Sequence, residues 1–149
     1  MTRKVYYLLP LLLIVVIAAG CAKSTDDTNT TTVILPVGNF SGQFTRIHLN
    51  SATKKLDTIH ANLTIAMAAA TGYAVSGDTT YHAASYGGYV VDGVNIAFAD
   101  QTLLQKGAST ITPTKTHLNG TYSYTYNAPN LQIYFSSDTV IYSYVLVAK

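Results

Sequence analysis

From Val33 onward, apolar and polar residues alternate with a period of two rather than 3.6, the spacing at which successive side chains point to opposite faces of a strand. The clearest run puts Ile59, Ala61, Leu63, Ile65 and Met67 on one face and His60, Asn62, Thr64 and Ala66 on the other. That pattern predicts a half-buried strand. Asp92-Gly93 signals a two-residue hairpin of type I′, which needs φ > 0 at both central positions. Folding the chain there predicts Val91 opposite Val94, Tyr89 opposite Ile96, and Gly87 near Phe98, all on one face.

Asn119-Gly120 is a second turn signal, followed by Tyr122, Tyr124 and Tyr126 alternating with Thr121, Ser123 and Thr125. Asn127-Ala128-Pro129-Asn130 breaks that strand, Leu131, Ile133 and Phe135 begin the next, and Ser136-Ser137-Asp138 turns again. The last strand, residues 140 to 147, has Tyr142, Tyr144 and Leu146 on one face and Ile141, Val145 and Val147 on the other, so both faces could be buried. With strands at residues 39 to 49, 73 to 76 and 81 to 86, the count reaches about eight or nine. Short connections favour antiparallel neighbours, which predicts an all-β domain, either a small antiparallel meander barrel or a two-layer sandwich. Met67-Ala68-Ala69-Ala70 and Leu103-Leu104 would make at most a turn or so of helix.

Composition agrees, since 48% apolar and 11% charged residues exclude a disordered chain. The acids are all Asp, and Tyr and Thr are abundant, which favours strands over helices. The N-terminus reads differently. Arg3 and Lys4 precede an apolar run from Val5 to Ala19 that contains Pro10, and Ala18-Ala19-Gly20 supplies small residues for cleavage. That is the pattern of a secretory signal peptide over residues 1 to 20, too short to span a bilayer comfortably. Without Arg3 and Lys4 the rest of the chain carries seven cations and seven acids. The cations are scattered, which argues against a nucleic-acid partner.

Cys21 is the only cysteine, so it has no internal disulfide partner. Ala18-Ala19-Gly20-Cys21 resembles the lipobox of bacterial lipoproteins, with Ala18 in place of the commoner Leu. The resemblance implies cleavage before Cys21, a diacylglyceryl group on its thiol, and usually an acylated amino terminus. Two or more acyl chains give stable anchoring, so the expected location is the bacterial cell envelope, anchored to the outer membrane and either periplasmic or surface-exposed. Residues 21 to 32 hold the lipidated cysteine and a polar run that reads as a disordered tether holding the domain off the bilayer. Asp26-Asp27 resembles the acidic export signal of some surface-exposed lipoproteins, and is equally explained as solvation of the tether. Residues 33 to 149 then form a single all-β domain.

Within that domain, Gly38-Asn39-Phe40, the segment from Leu118 to Tyr126, and Tyr142 to Val147 resemble the lipocalin-like lipoproteins, a loose group of small meander barrels. The resemblance implies a barrel that holds a small apolar ligand. Phe40 stands where a lipocalin proper has Trp, and no helix pattern follows the last strand.

Candidate chemistry is sparse. No Ser lies in a Gly-x-Ser-x-Gly elbow, no Glu exists to pair with Asp in glycoside hydrolysis, and the one Cys is assigned to lipid. The chain is therefore expected not to be an enzyme and to carry no cofactor. His48, His60, His82 and His117 are too far apart for a short metal motif, so no metal is expected and they read as polar surface histidines. The candidate ligand-binding residues are Tyr122, Tyr124 and Tyr126, whose rings suit a pocket or a sugar-binding face. Arg46 and His48 join them, because they interrupt the apolar face begun by Phe40 and Phe44. Those two either sit as polar groups inside a cavity or are turned outward by a bulge. The expected role is noncatalytic binding of a small apolar ligand. The alternative is a surface protein that binds an envelope protein or a glycan through outward tyrosines.

Overall fold

The computed structural model describes residues 33 to 104 and 115 to 149, so the expected signal peptide, Cys21 and the expected tether lie outside the described residues. Eight strands follow one another: β1 (Gly38–Leu49), β2 (Leu56–Ala68), β3 (Gly72–Gly77), β4 (Tyr86–Val91), β5 (Asn95–Asp100), β6 (Gly120–Asn127), β7 (Asn130–Ser136) and β8 (Val140–Ala148). Each pairs antiparallel with the next. β1 also pairs with β8, from Phe40 opposite Ala148 to His48 opposite Val140, so the sheet closes into an eight-stranded barrel. Of the two architectures that the alternation allowed, the meander barrel is the one formed. Closure removes the open edge at which sheets otherwise aggregate. No helix occurs among the described residues.

The chain enters at one end, here called the lower. That end carries the start of β1, the β2–β3, β4–β5 and β6–β7 connections, and the end of β8. The upper end carries the β1–β2 and β7–β8 turns and the two long connections, β3–β4 and β5–β6. Those long connections are joined where Thr116 N–H donates to Tyr81 O and Ala83 N–H to Thr116 O.

Inward side chains recur at every second position, most regularly in β2, β3 and β5. Phe40 and Phe44 of β1, the Ala61-to-Met67 face of β2, Tyr73 and Val75 of β3, Ile96 and Phe98 of β5, Leu131 and Ile133 of β7, and Tyr144 and Leu146 of β8 form one buried cluster. An eight-stranded barrel has an interior that side chains can fill. Here aromatic rings fill much of it, in contacts that run Tyr73–Phe98 (4.9 Å), Phe98–Tyr122 (5.9 Å), Tyr122–Tyr144 (6.1 Å) and Tyr144–Phe44 (4.8 Å).

Several expectations are corrected. The β4–β5 register pairs Val91 with Ile96 and Tyr89 with Phe98, two residues away from the type I′ register. The cause is Asp92, whose carboxylate accepts the backbone N–H groups of Val94 (2.9 Å) and Asn95 (2.6 Å) and the Asn95 side-chain amide (3.1 Å). Such an Asx turn widens the loop. Within it Gly93, at φ 95°, takes the left-handed conformation without Asp92. A slip of two residues keeps every side chain on its face, so Tyr89, Val91, Ile96 and Phe98 still point inward.

Residues 81 to 86 are not a strand. β4 begins at Tyr86, and before it His82 makes only an isolated bridge to Thr116. Asn119-Gly120 does turn the chain into β6, with Gly120 at φ 98°, but it does so at the end of the long β5–β6 connection, where Asn119 Oδ1 accepts the N–H of Asp100 at 3.0 Å. The β8 strand buries one face only, leaving Val145 and Val147 exposed on the outer wall. β1 keeps an unbroken register with both neighbours, so no bulge turns Arg46 and His48 outward.

Candidate functional site

The upper half of the interior holds a hydrogen-bonded polar cluster built from residues distant in sequence. His82 comes in from the β3–β4 connection and is fully buried. Its ring lies edge-on to Phe44 at 4.8 Å. His82 Nδ1 faces the carbonyl of Ala83 at 2.8 Å and Nε2 faces the Tyr144 hydroxyl at 3.0 Å. A carbonyl only accepts, so Nδ1 carries the proton, and neutral Nε2 accepts from the Tyr144 O–H. Burial pushes the pKa of His82 down to about 4, outweighing the opposing hydrogen bond to Ala83. The imidazole is therefore neutral at pH 7.

The tyrosines around it are held protonated by the same burial. The Tyr144 hydroxyl is raised well above its ordinary range by desolvation, and that of Tyr122 is pushed up to about 12 by the same cause. Tyr122 O–H donates to the carbonyl of Asn119 at 3.1 Å. Tyr73 O–H donates to the carbonyl of Leu118, and desolvation raises its pKa also. Both acceptors lie at the end of the β5–β6 connection, so these hydroxyls hold Leu118 and Asn119 in place at the start of β6. Beside them Asp100, buried at the end of β5, accepts His117 Nδ1 at 2.6 Å on one oxygen. Its other oxygen accepts Thr102 N–H at 2.8 Å and Thr102 Oγ1–H at 2.6 Å. This arrangement spends the acceptors of a buried carboxylate on donors, as burial requires.

The residues singled out from the sequence do not form one site. Tyr122 is 3% exposed and belongs to the core. Tyr124 and Tyr126 point inward lower down and are half-buried, with the Tyr126 ring edge-on to Phe40 at 5.8 Å. Arg46 lies at the upper mouth, opposite Tyr142 and Ile59 in register, and its head reaches Asp57 at 3.5 Å while its Nε is buried without a hydrogen-bond partner. His48 is exposed beyond it. The half-buried mouth around Arg46 therefore includes Tyr142 and Phe135, stacked at 5.7 Å, which the sequence reading did not select.

No protein-family model, curated protein or solved structure matches this chain.

The four histidines do not share one environment: His48 and His60 are exposed, His117 is half-buried, and His82 is buried completely. No group of three or more His, Cys, Asp or Glu side chains is placed to hold a metal among the described residues. On the outer wall near the lower end an open groove of about 560 Å³ is lined by Val37, Asn39, Ala66, Ala68, Thr71 and Tyr86, among others. Among the described residues the most exposed tyrosines are Tyr81, Tyr86 and Tyr134, none of which is among the candidate binding residues read from the sequence. A signal for the buried cluster was present in β5, where Asp100 shares the inward parity of Ile96 and Phe98. A carboxylate at an inward position must find donors.

Proposed function

We propose that the chain is a lipoprotein of the bacterial cell envelope, anchored to the outer membrane through lipid on Cys21, with a noncatalytic binding role performed from the outside of its barrel. The anchor is supported by the leader, by the small residues at 18 to 20, and by the solitary cysteine that follows them. The observation that carries the binding mode is the packed upper interior. Tyr122 and Tyr144, which a ligand in the upper interior would have to displace, are 3% and 0% exposed and already touch Phe98, Phe135 and Phe44. Opening a closely packed interior forfeits those contacts. A partner such as an envelope protein or glycan would instead meet the upper mouth, with Arg46, His48 and Tyr142, or the outer wall with Tyr134.

Two measurements on protein extracted from its own host test this. Intact mass of the membrane-bound form should show Cys21 diacylglyceryl-modified, and Cys21→Ser should release the protein from the membrane fraction. An unmodified Cys21 in that fraction would remove the anchor. Native mass spectrometry should then show the bare polypeptide plus its lipid. A stoichiometric apolar molecule that survives extraction would restore the internal-pocket reading.

A further inference from the structure

The two ends of the barrel differ in charge. The upper end carries Lys54 and Lys55 in the β1–β2 turn, Asp57 beside them, Asp78 in the β3–β4 connection, Lys115, and Asp138 in the β7–β8 turn. Among the described residues the lower end has only Asp92 and Lys149 as charged side chains. The Asp92 carboxylate is occupied in closing its own turn.

In place of charge the lower end presents aliphatic side chains. Ile34, Val37, Val90 and Val94 are each more than half exposed, and Val33 is 41% exposed. They gather on one side of the rim. A Val33 methyl lies 3.2 Å from where a Cβ on Gly93 would stand, and the Tyr89 hydroxyl donates to the Pro36 carbonyl at 2.8 Å. The entering segment is thus held against the β4–β5 turn. The other lower connections, at residues 69 to 71 and 128 to 129, are uncharged Ala-Ala-Thr and Ala-Pro.

We infer that this lower rim docks on a lipid bilayer, with Val33, Ile34, Val90 and Val94 reaching the boundary between headgroups and acyl chains. The inference rests on the anchored reading above, because the anchor decides which end faces the membrane. The chain enters the barrel at the lower end, and with eleven residues between Cys21 and Val33 the rim can lie no farther than about 40 Å from the anchored cysteine even at full extension. The rim is therefore kept within reach of the surface while the charged upper end points away. Exposed aliphatic groups on a nearly uncharged surface suit the interfacial layer, into which apolar faces sink by about 5 to 10 Å. Exposed apolar clusters of this kind otherwise call for a partner.

The chain contains no Trp, so one introduced Trp is its sole indole reporter. Val94→Trp and, separately, Asp138→Trp are made in the full chain, and the acylated proteins are reconstituted into phosphatidylcholine vesicles with brominated acyl chains. Val94 and Asp138 are both exposed turn residues, so neither change disturbs the core. Emission from Val94→Trp should be blue-shifted and quenched several-fold more strongly than that from Asp138→Trp, and Val90→Trp should repeat the result. Unquenched emission from Val94→Trp and Val90→Trp overturns the proposal. So does a dimer in sedimentation that is lost in Val94→Asp, since the rim would then belong to a second copy. The mass of Cys21 in the same samples tells the two readings apart: an acylated cysteine with unquenched Trp sinks the docked rim alone, and an unmodified cysteine sinks the anchor as well.

Discussion

Tyr144 and His82, 62 residues apart in sequence, meet inside the barrel through a 3.0 Å hydrogen bond in which the tyrosine donates. The bond requires a neutral imidazole, and burial supplies one by holding the pKa of His82 near 4. In the unfolded chain the same ring titrates near 6.5. Between those values the unfolded chain takes up a proton that the folded chain refuses, so stability falls as pH is lowered through the window from about 6.5 to about 4. At pH 7 the contribution is fully present. The loss across the window should reach about 3 kcal/mol. The groups acting on the ring are His117, which opposes its protonation, and Asp100, which favours it. Urea titrations at pH 7 and pH 4.5 should show the drop in the parent and a smaller one in His82→Leu. Equal drops in both would assign the acid sensitivity elsewhere.

Removing the other half of the pair gives a second expectation. Tyr144→Phe keeps the ring that touches Phe44 and Tyr122 but leaves His82 Nε2 without its donor in a site closed to water. A buried acceptor deprived of its partner costs about 1 to 3 kcal/mol. The denaturation midpoint at pH 7 should fall accordingly. An unchanged midpoint would mean that water reaches His82 and that the upper interior is less closed than its burial indicates.

Much of this fold was legible because most strands announce one face. In β2 the residues from Ile59 to Met67 alternate with Ala66 the one apolar residue on the polar face, and the structure buries or half-buries the apolar face as expected. In β8 both faces are apolar, so alternation alone could not say that Tyr144 and Leu146 are inside and Val145 and Val147 outside. The neighbours across the closing seam decide it. The hairpin at Asp92 misled for a different reason: the dipeptide suits a tight turn, but the Asp92 carboxylate makes three hydrogen bonds that only a wider loop allows. The polar cluster escaped because its members are separated by long connections, and no local spacing brings His82 to Tyr144 or ties Tyr73 to Leu118.

The closing seam supplies the third prediction. Gly42 lies between Phe40 and Phe44 on the inward face of β1, and a Cβ there would stand 2.0 Å from the backbone oxygen of Val145. Backbone cannot move aside as a side-chain tip can, so Gly42→Ala should push β1 and β8 apart and cost about 1 to 3 kcal/mol, as overpacking does. Gly88 of β4 is the control, since a Cβ there meets nothing within 4 Å. Gly88→Ala should stay within about 0.5 kcal/mol of the parent. Thermal melts of the two variants should separate clearly. Coincident melts would place the seam elsewhere.

The tyrosines of β6 allow a graded test of how full the interior is. Tyr122 is 3% exposed, contacts Phe98, Phe135 and Tyr144, and donates to Asn119, so Tyr122→Ala should cost about 3 to 5 kcal/mol, the range for deleting a buried large aromatic side chain. Tyr124 is only half-buried against the same cluster, and Tyr124→Ala should cost about 1 to 2 kcal/mol, in proportion to the smaller apolar area withdrawn from water. The measurement is a urea unfolding curve for each, read at constant slope so that a change in midpoint reports stability. A loss at Tyr122 as small as that at Tyr124 would mean that the upper interior relaxes around the missing ring or already contains space, and the case for a ligand inside the barrel would reopen there. A loss at Tyr124 as large as that at Tyr122 would mean that the packed region extends down the whole strand, leaving only the mouth around Arg46 and the outer wall to receive a partner.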